Sequence, residues 1–206
     1  MAVRRKNVEA CTGRQVTRLL SMPDGSAQRA ALAKLRRGIG QAPGAVPELW
    51  AEFLSDMDEE MYSDNGDPTY AEWAVYMSLT LFALHQQGSD PKLAPMSLSG
   101  QSLGKAVALL IKSPDDLERI RRRFNTLATS ESTAELSNHL RSMIQLLKAG
   151  NIALDYPALA GDIFDFQFID RRDGVKLRWG QDFYRTYRKN NTDSENERED
   201  EIYEED

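Results

Sequence analysis

The sequence predicts an all-α protein: two small helical bundles joined by a short linker, followed by a disordered acidic C-terminal tail. Three observations carry this prediction. Apolar residues recur at three- and four-residue spacing in segment after segment. Serine, threonine, proline and glycine stand where those segments begin and end. No run alternates apolar and polar residues as a half-buried strand does. At 206 residues the chain suits one medium domain or two small ones.

Residues 1–25 mix basic and small polar residues, close on the turn Met22-Pro23-Asp24-Gly25, and read as a flexible basic arm. The N-terminal bundle spans 26–112. Ser26 caps its first helix, in which Ala27, Ala31 and Leu35 share a face, and Gly38-Ile39-Gly40 ends it. Pro47 opens a second helix carrying Leu49, Trp50, Phe53, Leu54 and Met57. An acidic loop from Asp56 to Pro68 follows. Thr69 then caps the most apolar helix, with Trp73, Met77, Leu81 and Leu84, the expected centre of the bundle. Gly88–Gly100 is a loop, and a helix from about Leu103 to Lys112 closes this half.

The C-terminal bundle spans 113–189. Ser113-Pro114-Asp115-Asp116 supplies a cap, a first-turn proline and two acids at the positive end of a helix, and it marks the internal boundary. Leu117, Ile120, Phe124 and Leu127 follow on one face. A second helix places Leu136, Leu140, Met143 or Ile144, and Leu147 together and stops at Gly150. Helices are expected near Pro157–Phe166 and Leu177–Tyr187, with Asp170–Gly174 as a turn or small hairpin between them. Residues 190–206 are too poor in apolar side chains to fold alone.

Charge sharpens this division. Residues 193–206 hold nine acids against Arg198, a net −8, so within a total of −6 the first 192 residues carry +2. Eighteen of the 26 basic residues are arginine, whose planar fork suits phosphate and carboxylate. No apolar run approaches the ~20 residues that span a bilayer. Arg4-Arg5 is not followed by an apolar leader region, and a cytoplasmic protein without membrane contact is expected.

Enzyme motifs fail one by one. Gly100-Gln101-Ser102-Leu103-Gly104-Lys105-Ala106 has three residues between its glycines where a phosphate-binding loop has four; it also lacks the Ser/Thr after lysine and the preceding strand. Gly38, Gly40 and Gly44 follow a helix, so they are a linker. Aligning Gly66 with the sixth position of a calcium loop puts Met61 at the first, where a carboxylate is needed. The single Cys11 excludes an internal disulfide and a cysteine-based zinc site. His85 and His139 lie in no metal-ligand arrangement, and Asp162 with Asp165 reads as an ordinary pair on a solvated helix face. No catalytic residue, metal or cofactor is expected.

Basic placement is more informative. Arg29 and Arg36 are seven residues apart on one helix and point nearly the same way, with Arg37 about 80° round and Lys34 at the border of the apolar face. Arg119, Arg121, Arg122 and Arg123 interleave with Ile120 and Phe124. Arg141 and Lys148 form a further stripe opposite Leu140 and Leu147. Individually these side chains could pair with acids such as Asp115, Asp116, Glu118 and Glu131. Arg36-Arg37, however, has no acid within ten residues on either side. Contacts to phosphates without base reading are the binding mode this pattern suits.

The order Leu32-x-x-Leu35-Arg36-Arg37-Gly38, Phe82-Ala83-Leu84-His85-Gln86, Ser102-Leu103-Gly104-Lys105-Ala106, Arg122-Arg123-Phe124, Leu140-Arg141, Leu154-Asp155-Tyr156-Pro157 and Trp179-x-x-Asp182-Phe183-Tyr184 resembles the CasB-type small subunit of the type I-E CRISPR effector complex, Cascade. It covers about residues 27–187. Tyr156 and Phe166 stand where the family often has tryptophan. The resemblance implies a non-catalytic bacterial subunit of two helical bundles, present as two head-to-tail copies. Its implied partners are the backbone and large subunits, the guide-RNA ribonucleoprotein, and target DNA including the displaced strand. It points to Arg36 and Arg37 first, then Lys105, Arg123 and Arg141, as strand-holding residues. The alternative from another class is a free-standing helical adaptor that binds a protein partner through the same arginines.

Overall fold

The computed structural model describes residues 3–204, with side chains through residue 192. Among these residues the regular structure is helical: α1 (Arg5–Ser21), α2 (Gly25–Arg37), α3 (Trp50–Phe53), α4 (Tyr70–His85), α5 (Leu103–Ala108), α6 (Pro114–Ala128), α7 (Thr133–Ala149), α8 (Tyr156–Phe166) and α9 (Ile169–Glu204). A lone bridge between Ser97 and Leu154 is the one sheet-like contact described. No helix of the described residues is long and apolar enough to cross a membrane.

Several starts obey their caps. Thr69 and Glu72 form a reciprocal capping box on α4, Ser113 and Asp116 do so on α6, and the Ser132 hydroxyl accepts from the Glu135 amide at 3.2 Å. Helix α2 begins one residue before Ser26, because the Asp24 carboxylate accepts from the Ser26 amide at 2.7 Å.

The flexible arm expected over 1–25 is corrected. Residues 5–21 form α1, whose inner face buries Val8, Cys11, Thr12, Gln15, Val16 and Leu19 against α8 and α4. Thr12 and Gln15 are polar letters on that stripe, so its apolar periodicity is weak in sequence. The buried Gln15 amide donates to the Phe53 carbonyl at 2.8 Å, which offsets part of the desolvation cost. Arg18 and Arg14 similarly donate to the carbonyls of Glu52 (3.0 Å) and Asp56 (3.1 Å). With those carbonyls satisfied from α1, the segment after Pro47 does not form the expected long helix. It is a single 3₁₀ turn (Pro47–Leu49), the one-turn α3, and further turns.

The division into 26–112 and 113–189 does not follow the packing. One continuous hydrophobic cluster runs from Val8 to Phe183. Helix α8 packs on α1 and α4, while α5 packs on α9. The helices still sort into two groups, but the chain crosses between them three times, from α4 to α5, from α7 to α8 and from α8 to α9, and Ser113 is a helix cap within one core. Asp162 and Asp165 are likewise not on a solvated face. Arg5 reaches Asp162 at 2.8 Å and Asp165 at 3.0 Å, and the Trp179 indole donates to Asp162 at 2.6 Å. Burial alone lowers the Arg5 pKa; the Asp162 carboxylate reverses this, and the net shift is upward.

Residues 170–174 are not a turn. They form the first turns of α9, held there by Arg172, which donates to the Phe166 carbonyl at 3.0 Å and the Glu131 carbonyl at 2.7 Å. Helix α9 buries Val175, Trp179 and Phe183, and its backbone continues helical to Glu204, where the sequence reading has a disordered tail. The side chains of that tail, from residue 193 on, lie outside the described residues.

Candidate nucleic-acid interface

Helix α2 packs Ala31, Leu32 and Leu35 toward α4, which turns Arg29 and Arg36 toward the end of α4 and the loop after it. There they line a groove of about 490 Å³ with Gln87, Asp90 and Lys92. Arg36 is half-buried, and its one described polar contact is a long bond, Nη1 to the Ala83 carbonyl at 3.4 Å. Burial pulls its pKa below the ordinary arginine value. The guanidinium nonetheless stays charged at neutral pH, since so basic a group has a wide margin. Asp90 caps the Lys92 amide at 2.8 Å. Among the described residues, no carboxylate forms an ion pair with Arg29, Arg36 or Lys92. A desolvated cation without an anion favours an anionic visitor.

Lys148 extends this patch. Its Nζ donates to Gln87 Oε1 at 3.2 Å, which brings α7 to the same loop. Arg141, exposed, lies two turns earlier on the same stripe, about 10.5 Å along the helix. The structure thus brings Arg29, Arg36 and Lys148 to one region, with Arg141 leading away along α7.

Other predicted residues are engaged or separate. Arg37 pairs with Glu48 at 2.7 Å and Lys34 with Glu52 at 3.5 Å. Arg119 pairs with Asp116 at 2.5 Å; that bond is the leading cause holding the Asp116 carboxyl below its usual range. Lys105 Nζ donates to the Gly100 carbonyl at 2.8 Å, closing the loop before α5. Arg122 and Arg123 are exposed on α6 with no ion pair described, and Arg123 lines a small pocket with His139 and Ser142. They form a second basic patch.

Sequence reasoning missed Lys92, which sits in a loop where no periodicity marks it. It also missed Lys176, Arg185 and Arg188, which flank exposed Leu177 and Tyr184 on α9. The signal there was the arginine density of residues 171–188. His85 is fully buried, bonded through Nδ1 to the Tyr156 hydroxyl at 3.0 Å, and burial pulls its pKa down to about 4. It is a core residue. No group of three or more potential metal ligands is found among the described residues.

The fold has close counterparts among solved structures. CasB from Thermobifida fusca is 28% identical, with a TM-score of 0.67 over 88% of this chain and 99% of its own. CasB from M. ruber is 26% identical, with a TM-score of 0.66 over 89% and 98%. A chain of a CRISPR RNA-guided surveillance complex shares the fold at 19% identity, with a TM-score of 0.68 over 92% and 98%. The sequence has no match among curated proteins. The model of the CRISPR-associated protein Cse2 family matches residues 31–184, a span that contains Arg36, Lys92 and the basic residues of α6 and α7 but begins after Arg29, and the chain belongs to that family.

Proposed function

We propose that this chain is the non-catalytic small subunit of a type I-E Cascade complex, working in the bacterial cytoplasm. In this reading it scaffolds the assembly beside the backbone and large subunits and a second copy of itself. It holds target DNA, notably the displaced strand, along a basic track. The observation that carries the strand-holding role is Arg36, a half-buried guanidinium with no carboxylate partner described, sharing a groove with Arg29 and Lys92. Membership of the Cse2 family and the fold shared with a surveillance-complex chain support the assembly.

The physics suits a holding role. Exchanging a DNA duplex for a guide–target heteroduplex is nearly balanced in free energy, so a few backbone contacts on the displaced strand tip it toward the open state. A strand sliding past cationic side chains needs charge and reach, and no base-reading pocket is required.

The test is R-loop lifetime in the reconstituted complex carrying Arg29→Glu with Arg36→Glu. The expected result is a lifetime shortened about tenfold, equivalent to ~1.4 kcal/mol. The salt dependence should flatten by roughly 1.4 in slope for two lost single-strand phosphate contacts. Arg37→Glu, whose wild-type partner is Glu48, has a smaller effect. Wild-type lifetimes in the double variant refute the assignment of Arg29 and Arg36.

A further inference from the structure

We infer that the groove between α3 and the loop 62–68 is a protein-docking site for a Lys/Arg-bearing segment, with an aromatic or aliphatic anchor, from another subunit of the assembly. This rests on the proposed role as a complex subunit, but it concerns a surface that the strand-holding residues do not use.

The groove measures about 540 Å³ and is lined by Pro43, Trp50, Leu54, Tyr62 and Pro68. Trp50 is 50% exposed and Tyr62 38% exposed. Single exposed apolar residues are ordinary, whereas a contiguous aromatic and proline surface marks an interaction site. The groove is also held in shape. The Tyr62 hydroxyl donates to the Leu54 carbonyl at 2.8 Å, and the Phe53 ring stacks edge-on against Tyr76 at 5.1 Å. Across the groove the Ser63 hydroxyl accepts from the Gly66 amide at 2.9 Å, and the Thr69–Glu72 box anchors the loop's far end. A rigid groove loses little entropy when it is filled.

Charge selects the occupant. Residues 38–91 contain ten acids and neither lysine nor arginine. Arg14, Arg18, Lys34 and Arg37 come from α1 and α2 to pair with Asp58, Asp56, Glu52 and Glu48. Glu59, Asp64 and Asp67 form no ion pair among the described residues, and all three are exposed. Nucleic acid is repelled by such a rim. A cationic peptide is attracted to it, and a guanidinium gains further by stacking on Trp50.

The experiment uses the affinity-purified complex with Tyr62→p-benzoylphenylalanine, photo-crosslinked and mapped by mass spectrometry. The expected crosslink is to a segment of a different subunit with at least two Lys/Arg around an apolar residue. Adding Asp64→Lys with Asp67→Lys should lower its yield at least fivefold while the free chain's helical spectrum and melting stay unchanged. A crosslink to a second copy of this chain, to nucleic acid or to an uncharged segment overturns the proposal. So does an intact complex with no crosslink, or a yield indifferent to the charge reversal. If the tagged chain purifies with no other subunit, the proposed function falls as well, so the two failures are distinguishable.

Discussion

At the scale of single residues, burial decides which side chains are available for function. His85 and Arg36 stand at neighbouring ends of α4 and α2, yet they resolve burial differently. The imidazole becomes neutral inside the core and bonds Tyr156, whereas the guanidinium keeps its charge and faces a groove. A buried neutral histidine makes stability depend on pH. The unfolded chain binds a proton near 6.5, the folded one only near 4, so acidification below 6.5 favours unfolding. Urea midpoints should be level from pH 8 to 7 and fall between pH 6.5 and 4, with a loss on the order of 3 kcal/mol from this group. His85→Gln should flatten that segment of the profile, and an unchanged profile would assign the acid sensitivity elsewhere. The site was legible to the extent that its geometry is local: Arg29 and Arg36 share a face by spacing alone. The engagement of Lys34 and Arg37 was not legible, because their carboxylates come from a segment whose path depends on α1.

At the scale of elements, close approach between helices sets a strict limit at Gly104 and none at Gly180. A side chain at Gly104 meets the Trp179 carbonyl, and also Asp182 Cβ and Phe183 N at 2.9 Å each, so α5 and α9 touch backbone to backbone there. Gly180 faces open space on the outward side of α9. Gly104→Ala should therefore cost about 1–3 kcal/mol or more by prising the helices apart. Gly180→Ala should stabilise by about 0.5–1 kcal/mol through helix propensity. Thermal or urea denaturation of both variants checks the contrast, and equal effects would mean that the α5–α9 contact is loose. Helix starts were readable because a cap is a local device, as at Thr69 and Ser113. Helix α1 was not, since Thr12 and Gln15 are polar residues at core positions, and the bond from Gln15 to the Phe53 carbonyl exists only in the tertiary fold. Residues 170–174 have turn chemistry in isolation; Arg171 and Arg172, gripping Asp165, Phe166 and Glu131, keep them helical.

At the scale of the whole molecule, charge is segregated along the chain: a lysine- and arginine-free stretch over 38–91, basic patches on α2, α6 and α7, and a terminal segment of net −8. Removing residues 193–206 changes the net charge from −6 to +2. Non-specific affinity for single-stranded DNA at low salt should then rise several-fold, and the difference should vanish as salt shortens the screening length. Unchanged binding in a fluorescence-anisotropy titration would show that the segment does not screen the basic patches. The all-helical character was foreseeable from the sequence, but which helices pack together was not, because α5 packs on α9 and α8 on α1 and α4, each across the halves of the chain. That exchange has a consequence for how the protein is made. Arg5 bonds a carboxylate 157 residues away, so during synthesis α1 leaves the ribosome long before its partner α8 exists. The N-terminal half therefore completes its packing only late in synthesis, and a message cut short after α7 yields a product in which α1 keeps α4 but lacks α8 and is more open to proteolysis.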